Sequence, residues 1–416
     1  MTPVSARQAE RRLVLLSATR WLPVGLVFGL TVLLPLERGL TLAELGVILA
    51  VQGFVVLALE LPTGGLADAI GRRPVLLLAG VLAIISSMLF LLAQGFWMFA
   101  VAMLLQGLFR VLDSGPLEAW FVDAAHADDP GYPVERGLSR AGTGLGLAIA
   151  LGALAGGALV AWHPLALRSP LVLPFLVAIA VSLVHLLLVA VLVRESRRPR
   201  EVSPALGLRE TLGGGIGVLR RSRVLRCLVL VEVFWSVAMI AFETLTPVRL
   251  AELVGGEAGA AALFGPASAA AWGLFAVGSA LAGVASRSFG VARTAILARL
   301  LNGAFVVAMG LTTGAVGLLA AYGVVYLVHG AASPMHNALL HRQATSATRA
   351  VVLSMNSMVA GGTYSVGLLV LGPLAELTST SLAVVVAGAF SLLGAFLYLP
   401  ALREERAVRP AADAAG

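Results

Sequence analysis

The stretch GGLADAIGRRPVLL, residues 64–77, sets three glycines, one aspartate and two adjacent arginines between two long apolar runs. Asp68 and Arg72 cannot lie in hydrocarbon without a large cost, so the break marks a place where the chain leaves an apolar medium. The rest of the chain says what that medium is. Of 416 residues, 59% are hydrophobic and 12% charged, against about 25% charged in a soluble domain. So few charges cannot cover a water-soluble fold of this length. The composition implies an integral membrane protein.

Apolar runs long enough to span hydrocarbon as one helix need about 20 residues. Twelve occur, centred near Val24, Val55, Ile84, Arg110, Leu151, Ser182, Ala238, Trp272, Asn302, Val325, Gly361 and Ala389. The breaks between them are charged or rich in Gly and Pro, as tight helix-to-helix turns require. All 29 basic residues are arginine, and 23 fall in alternate breaks and the two tails, nine of them between Arg194 and Arg226. The other breaks hold Arg38, Arg168 and Arg249 only. The positive-inside rule then predicts that both termini are cytoplasmic. The first run is followed by a second span without a small-residue cleavage site, so it reads as a retained helix. A cell-membrane, multi-pass protein is expected.

The longest interior break, 194–223, divides the spans six and six. The expected organisation is a bundle over 1–193, a cytoplasmic linker over 194–223, a second bundle over 224–402 and a tail over 403–416. GVASRSFGVAR (283–293), after the eighth span, echoes the opening stretch: Gly64 and Gly71 map onto Gly283 and Gly290 with one offset, while Asp68 maps onto Arg287. A duplicated, pseudo-symmetric transporter architecture follows.

With these features in place, G-x-x-x-D-x-x-G-R-R at Gly64, Asp68, Gly71, Arg72 and Arg73 resembles the signature loop of the major facilitator superfamily between its second and third helices. Ala69 departs from the pattern, where the family usually has a basic residue. The resemblance implies an all-α fold of twelve transmembrane helices in two six-helix bundles. It implies too that this loop latches the cytoplasmic side during alternating access. On that reading Arg72 pairs with an acid at the inner end of helix four, here Asp123, and Asp68 faces the start of helix eleven, whose amides carry partial positive charge. AIALGALAGG (148–157) resembles the exporter signature of helix five in Gly152, Gly156 and Gly157, but has Ala148 and Ala153 where the signature has Gly and Pro. Small residues at this spacing also serve close helix packing.

Ionisable residues at membrane depth cost at least about 2.5 kcal/mol each and are functional candidates by default. At 100° per residue, Gln106, Arg110 and Asp113 share one face of the fourth span, with Arg110 and Asp113 expected to pair at i, i+3. Glu118 lies further round. Glu232 and Glu243 share a face of the seventh span, about 16 Å apart on a straight helix. The resembled fold brings helices one, four, seven and ten to a central cavity, so Arg20, these two faces and His329 are expected there. Such a set suits proton coupling, with Asp113, then Glu232, then Glu60 as carrier; a structural ion pair is the alternative for Arg110–Asp113. Arg299 with Asn302 reads as a packing contact, and His185 as interfacial or core.

The functional expectation is a secondary transporter with the proton as coupling ion and no other cofactor. It would export small amphipathic or hydrophobic compounds, with proton-coupled import of a metabolite as the alternative. A membrane-embedded lipid-modifying enzyme would need clustered metal-ligating or nucleophilic groups at a membrane edge. Only HADDP (126–130) offers one, and a solvated turn explains it. No G-x-x-x-x-G-K-[ST] loop is present to bind ATP, Cys227 is the lone thiol, and the arginines form no soluble patch for nucleic acid. The expected partners are a small-molecule substrate and the lipid bilayer, and the expected state is a monomer.

Overall fold

The structure, a computed structural model, describes residues 4–63, 66–165, 167–194, 217, 219–220, 222–344 and 348–413. Among them twelve helices are long and apolar enough to cross a bilayer. They are α1 (Ala6–Glu37), α2 (Leu42–Leu59), α3 (Arg72–Leu92), α4 (Phe96–Asp128), α5 (Val134–Trp162), α6 (Val172–Leu192), α7 (Arg223–Val254), α8 (Glu257–Phe289), α9 (Val291–Leu311), α10 (Ala315–Gln343), α11 (Val351–Leu377) and α12 (Thr380–Ala407). No strand occurs among the described residues. Residues 195–216 of the expected linker lie outside them. Helix continues from Leu399 to Asp413, so the expected tail begins as an extension of α12.

Two helices are interrupted where the sequence supplies a glycine, and two change helical type, α7 at Ile240–Leu245 and α12 at Gly394–Tyr398. Gly29 takes a left-handed conformation (φ 79°) inside α1. In α4, Ser114 and Gly115 break the helix; Gly115 has φ 93°, and Pro116 opens the next segment, where a missing N–H costs nothing. Residues Ile240–Leu245 of α7 form a π-helical turn, which shifts the phase of everything after Met239. The straight-helix alignment expected for Glu232 and Glu243 does not hold across it.

The chain divides into two compact units. Unit 1 comprises Met1–Leu40, Val51–Ala205 and Glu257–Ala269; unit 2 comprises Thr41–Ala50, Leu206–Gly256 and Ala270–Gly416. The division differs from the expected cut at the linker because the starts of α2 and α8 belong with the opposite bundle. Glycines are the physical reason. Gly46 of α2 lies against the backbone of Leu368, and Gly372 against that of Leu42. Gly265 of α8 lies against the backbones of Ala153 and Gly157. Side chains at these glycines would hold the helix backbones apart.

The internal repeat is visible in backbone angles. Gly71 (φ 96°, ψ 152°) precedes α3 and Gly290 (φ 86°, ψ 160°) precedes α9. This region is open essentially to glycine alone. Within α5 the two faces are segregated: Gly152 and Gly156 meet α1, while Leu147, Leu151 and Leu154 are exposed. A helix with small residues inward and leucines outward is built to face lipid.

Candidate functional site

The centre of unit 1 is an ion pair inside the helix bundle. Arg20 Nε of α1 donates to Asp113 Oδ2 of α4 at 2.5 Å, with side chains 11% and 17% exposed. The Arg20 guanidinium lies over two rings, 4.8 Å from the centroid of Trp21 and 4.2 Å from that of Phe109, an attraction that strengthens as water is excluded. Among the described residues neither terminal nitrogen of Arg20 finds an acceptor. Buried His185 of α6 stands beside the pair, its Nδ1 2.9 Å from the Thr19 hydroxyl. Arg20, Asp113 and His185 line two cavities at once. The larger, of about 430 Å³, is bordered also by Ser17, Trp21, Arg110 and Glu118. The smaller, of about 60 Å³, reaches Thr19, Gln106 and Ser182. These three side chains therefore form a wall shared by the two cavities.

Asp113 finds its partner on another helix, where i, i+3 reasoning pointed to Arg110. Arg110 is exposed and borders the larger cavity, as does Glu118 from beyond the break at Gly115. Gln106 lines the smaller cavity and accepts from the Ser86 hydroxyl at 3.1 Å. His185, expected to be interfacial or core, belongs to the site.

Unit 2 holds a second buried polar network. Glu232 of α7 sits 3.0 Å from His336 Nε2 of α10, and the same oxygen accepts from Asn356 Nδ2 of α11 at 3.2 Å. His336 Nδ1 lies 2.8 Å from the Tyr398 hydroxyl, which accepts from Arg299 Nε at 3.4 Å. The Arg299 guanidinium lies over Trp235 at 3.9 Å, and Trp235 meets His329 in a tilted contact, 4.3 Å between centroids. Arg299 is thus part of a charged network, contrary to the packing role expected for it. Asn302 does pack, donating to the Val325 carbonyl at 3.2 Å and tying α9 to α10. His329 sits among rings, with Phe275 at 5.1 Å and Phe242 at 5.7 Å. Glu243 lies on the π-helical turn. Sequence reasoning missed His336, Asn356 and Tyr398, because each is reached only from a different helix. Among the described residues no group of three His, Cys, Asp or Glu side chains is placed to hold a metal ion.

At the end of unit 1 that holds the N-terminus, Arg72 Nη1 meets Asp123 Oδ2 at 2.5 Å and also donates to the Ala119 carbonyl. Arg73 Nη2 donates to the Ala190 carbonyl at 2.6 Å. The pair therefore roots α3 on α4 and α6. Gly64 and the side chains of Asp68 and Glu60 lie outside the described residues. The acids of HADDP have local work: Asp128 accepts from the Ala6 amide at 2.9 Å and Asp129 from the Gly131 amide at 3.0 Å. Gly152 and Gly156 meet the α1 backbone at Leu22, Gly25 and Leu26, and Gly157 meets α8, so close packing accounts for all three.

Twelve apolar helices, paired glycine turns and the Arg72–Asp123 bridge agree with a match of the major facilitator superfamily model to residues 13–329. The chain belongs to the major facilitator superfamily. Its fold matches that of nucleoside transporter NupG (TM-score 0.77, 12% identity, 94% of this chain and 98% of that one covered). It also matches a bacterial homologue of the human lysosomal transporter Spinster, in an inward-facing and occupied conformation (TM-score 0.74, 14% identity, 95% and 96% covered). The human organic anion transporter MFSD10 (TETRAN) is similar at TM-score 0.61 and 19% identity, with 94% and 99% covered. A search of curated proteins by sequence gives no match. As a superfamily member the protein is a multi-pass secondary transporter, with a small molecule as its substrate and lipid as its surroundings.

Proposed function

We propose that the protein is a proton-coupled transporter of small amphipathic solutes, working as a monomer in the cell membrane with both termini cytoplasmic. Asp113 carries the proton. The observation that supports this is the Arg20–Asp113 pair in the wall shared by two cavities, 2.5 Å apart and largely buried. A carboxylate held by a fixed cation is charged at low cost; moved away from it in a dry site, it favours the proton. Alternating access that changes this contact therefore changes proton affinity between the two sides. Trp21, Leu117 and Val189 supply apolar wall to the larger cavity, which suits a solute with an oily body. The latch at Arg72 and Asp123 times closure in the same reading.

The solute's charge sets the direction. A cation competing with Arg20 for Asp113 also competes with the proton, which gives exchange and export. An anion gathered by Arg20 binds best when Asp113 is neutral, which gives cotransport and uptake. The test is a compound panel on cells with and without the protein, scored for resistance, accumulation and growth, each with and without a protonophore. Protonophore-sensitive differences in either direction are expected. Differences that survive the protonophore, with none that it abolishes, contradict proton coupling.

A further inference from the structure

The contact between Arg20 and Asp113 uses only one edge of the guanidinium. Asp113 Oδ2 accepts from Nε, while the Trp21 and Phe109 rings lie 4.8 Å and 4.2 Å from the guanidinium carbon. The outer edge, Nη1 with Nη2, is left without an acceptor among the described residues, in a side chain 11% exposed that borders both cavities. That edge is the one whose parallel N–H groups match the two oxygens of a carboxylate. Neither nitrogen is among the fully buried side-chain atoms that lack a partner, so the edge is open to the cavity and within reach of an entering acceptor.

Charge balance specifies that acceptor. Among the described residues, the ionisable groups that share the larger cavity with Asp113 are Arg20 of α1, Arg110 of α4, Glu118 beyond the break, and His185 of α6. Neither α2 nor α3 contributes an ionisable side chain to either cavity among the described residues. With His185 neutral and Asp113 charged, the larger cavity is neutral overall. With Asp113 protonated it carries one net positive charge. An incoming cation would have to sit against Arg20 and Arg110. An incoming anion meets repulsion from ionised Asp113 and Glu118, and a proton on Asp113 removes the part that lies against Arg20.

We propose that the larger cavity of unit 1 binds a small amphipathic monoanion, its carboxylate forked on the outer edge of Arg20 and its apolar body against Trp21 and Leu117, with one proton taken up on Asp113. The proposal rests on the proton-coupled reading above and selects cotransport over exchange. The cavity's 430 Å³ is within the range of small-molecule sites.

Purified full-length protein in detergent is titrated, at fixed ionic strength, with ω-phenyl carboxylates from phenylacetate upward, the matching amines and the matching alcohols. Proton uptake is followed with an indicator dye in weak buffer. Carboxylates bind, with up to about a tenfold gain in affinity per pH unit of acidification, as one coupled proton requires, and amines do not. Asp113→Asn keeps carboxylate binding but loses the proton uptake and the pH slope; Arg20→Lys weakens binding by losing the fork. Amine binding with proton release overturns the anion site and leaves Asp113 as proton carrier. Carboxylate binding without proton uptake overturns the coupling and leaves the anion site. Binding by no carboxylate of the series overturns the proposal.

Discussion

Arg20 holds Asp113 through a single nitrogen at 2.5 Å across 93 residues of chain, with its guanidinium carbon 4.8 Å from the Trp21 ring centroid and 4.2 Å from that of Phe109. The cation thus has contacts that do not depend on the acid.

Removing one member of such a pair is worse than neutralising the other. Arg20→Ala leaves the Asp113 carboxyl without its cation in a site 17% exposed and is expected to cost about 3 kcal/mol. Asp113→Asn keeps a hydrogen-bond acceptor for Nε and is expected to cost about 1 kcal/mol. Thermal melts of the purified variants check the order; equal losses contradict it.

Much of the fold was legible because membrane constraints act on the local sequence. Run length gives each span, arginine placement gives an expected orientation, and Gly71 and Gly290 mark equivalent turns by their backbone needs. The sites were legible only in part. Asp123 was reachable through the resemblance, and Asp113 and Glu232 through their depth in apolar runs. Their partners were not. Arg20 was expected in the cavity through the resemblance but not as the partner of Asp113, and His336 and Asn356 come from other helices that no spacing along one helix encodes. The break at Gly115 and the π-helical turn at Ile240–Leu245 then defeat any face drawn on a straight helix.

In unit 2, Glu232 depends on His336 and Asn356 for its contacts. His336→Ala strands a buried carboxylate and should lower stability by about 3 kcal/mol. Glu232→Gln combined with His336→Ala should recover part of that loss, since no charge remains to be buried. A double-mutant cycle by thermal melting measures it. A double variant no more stable than His336→Ala contradicts the role given to the charge.

Gly156 lies where a side chain would run into the Leu26 carbonyl of α1, whereas Gly142, on the same helix, has open space around it. Gly156→Ala should cost about 1–3 kcal/mol as an overpacked contact. Gly142→Ala should be neutral or mildly stabilising, since Ala favours helix. Similar melting temperatures for the two variants would remove packing as the reason for the glycine stripe.

Asp123 is half-exposed and bridges Arg72 at the rim of unit 1. Asp123→Asn should leave protein in the membrane at near wild-type amounts and cut transport by tenfold or more, about 1.4 kcal/mol in barrier terms. Membrane fractionation and a transport assay are read together. Full transport by Asp123→Asn would reduce the bridge to a topological anchor.

The most direct measurement concerns Asp113 itself. Wild-type and Asp113→Asn proteins are reconstituted in liposomes with a solute identified by the compound panel, and net movement is followed with and without an imposed pH gradient. Concentrative, gradient-driven movement is expected for wild type, while Asp113→Asn should retain only downhill exchange. Undiminished gradient-driven accumulation by Asp113→Asn would contradict the assignment of the proton to the Arg20–Asp113 pair.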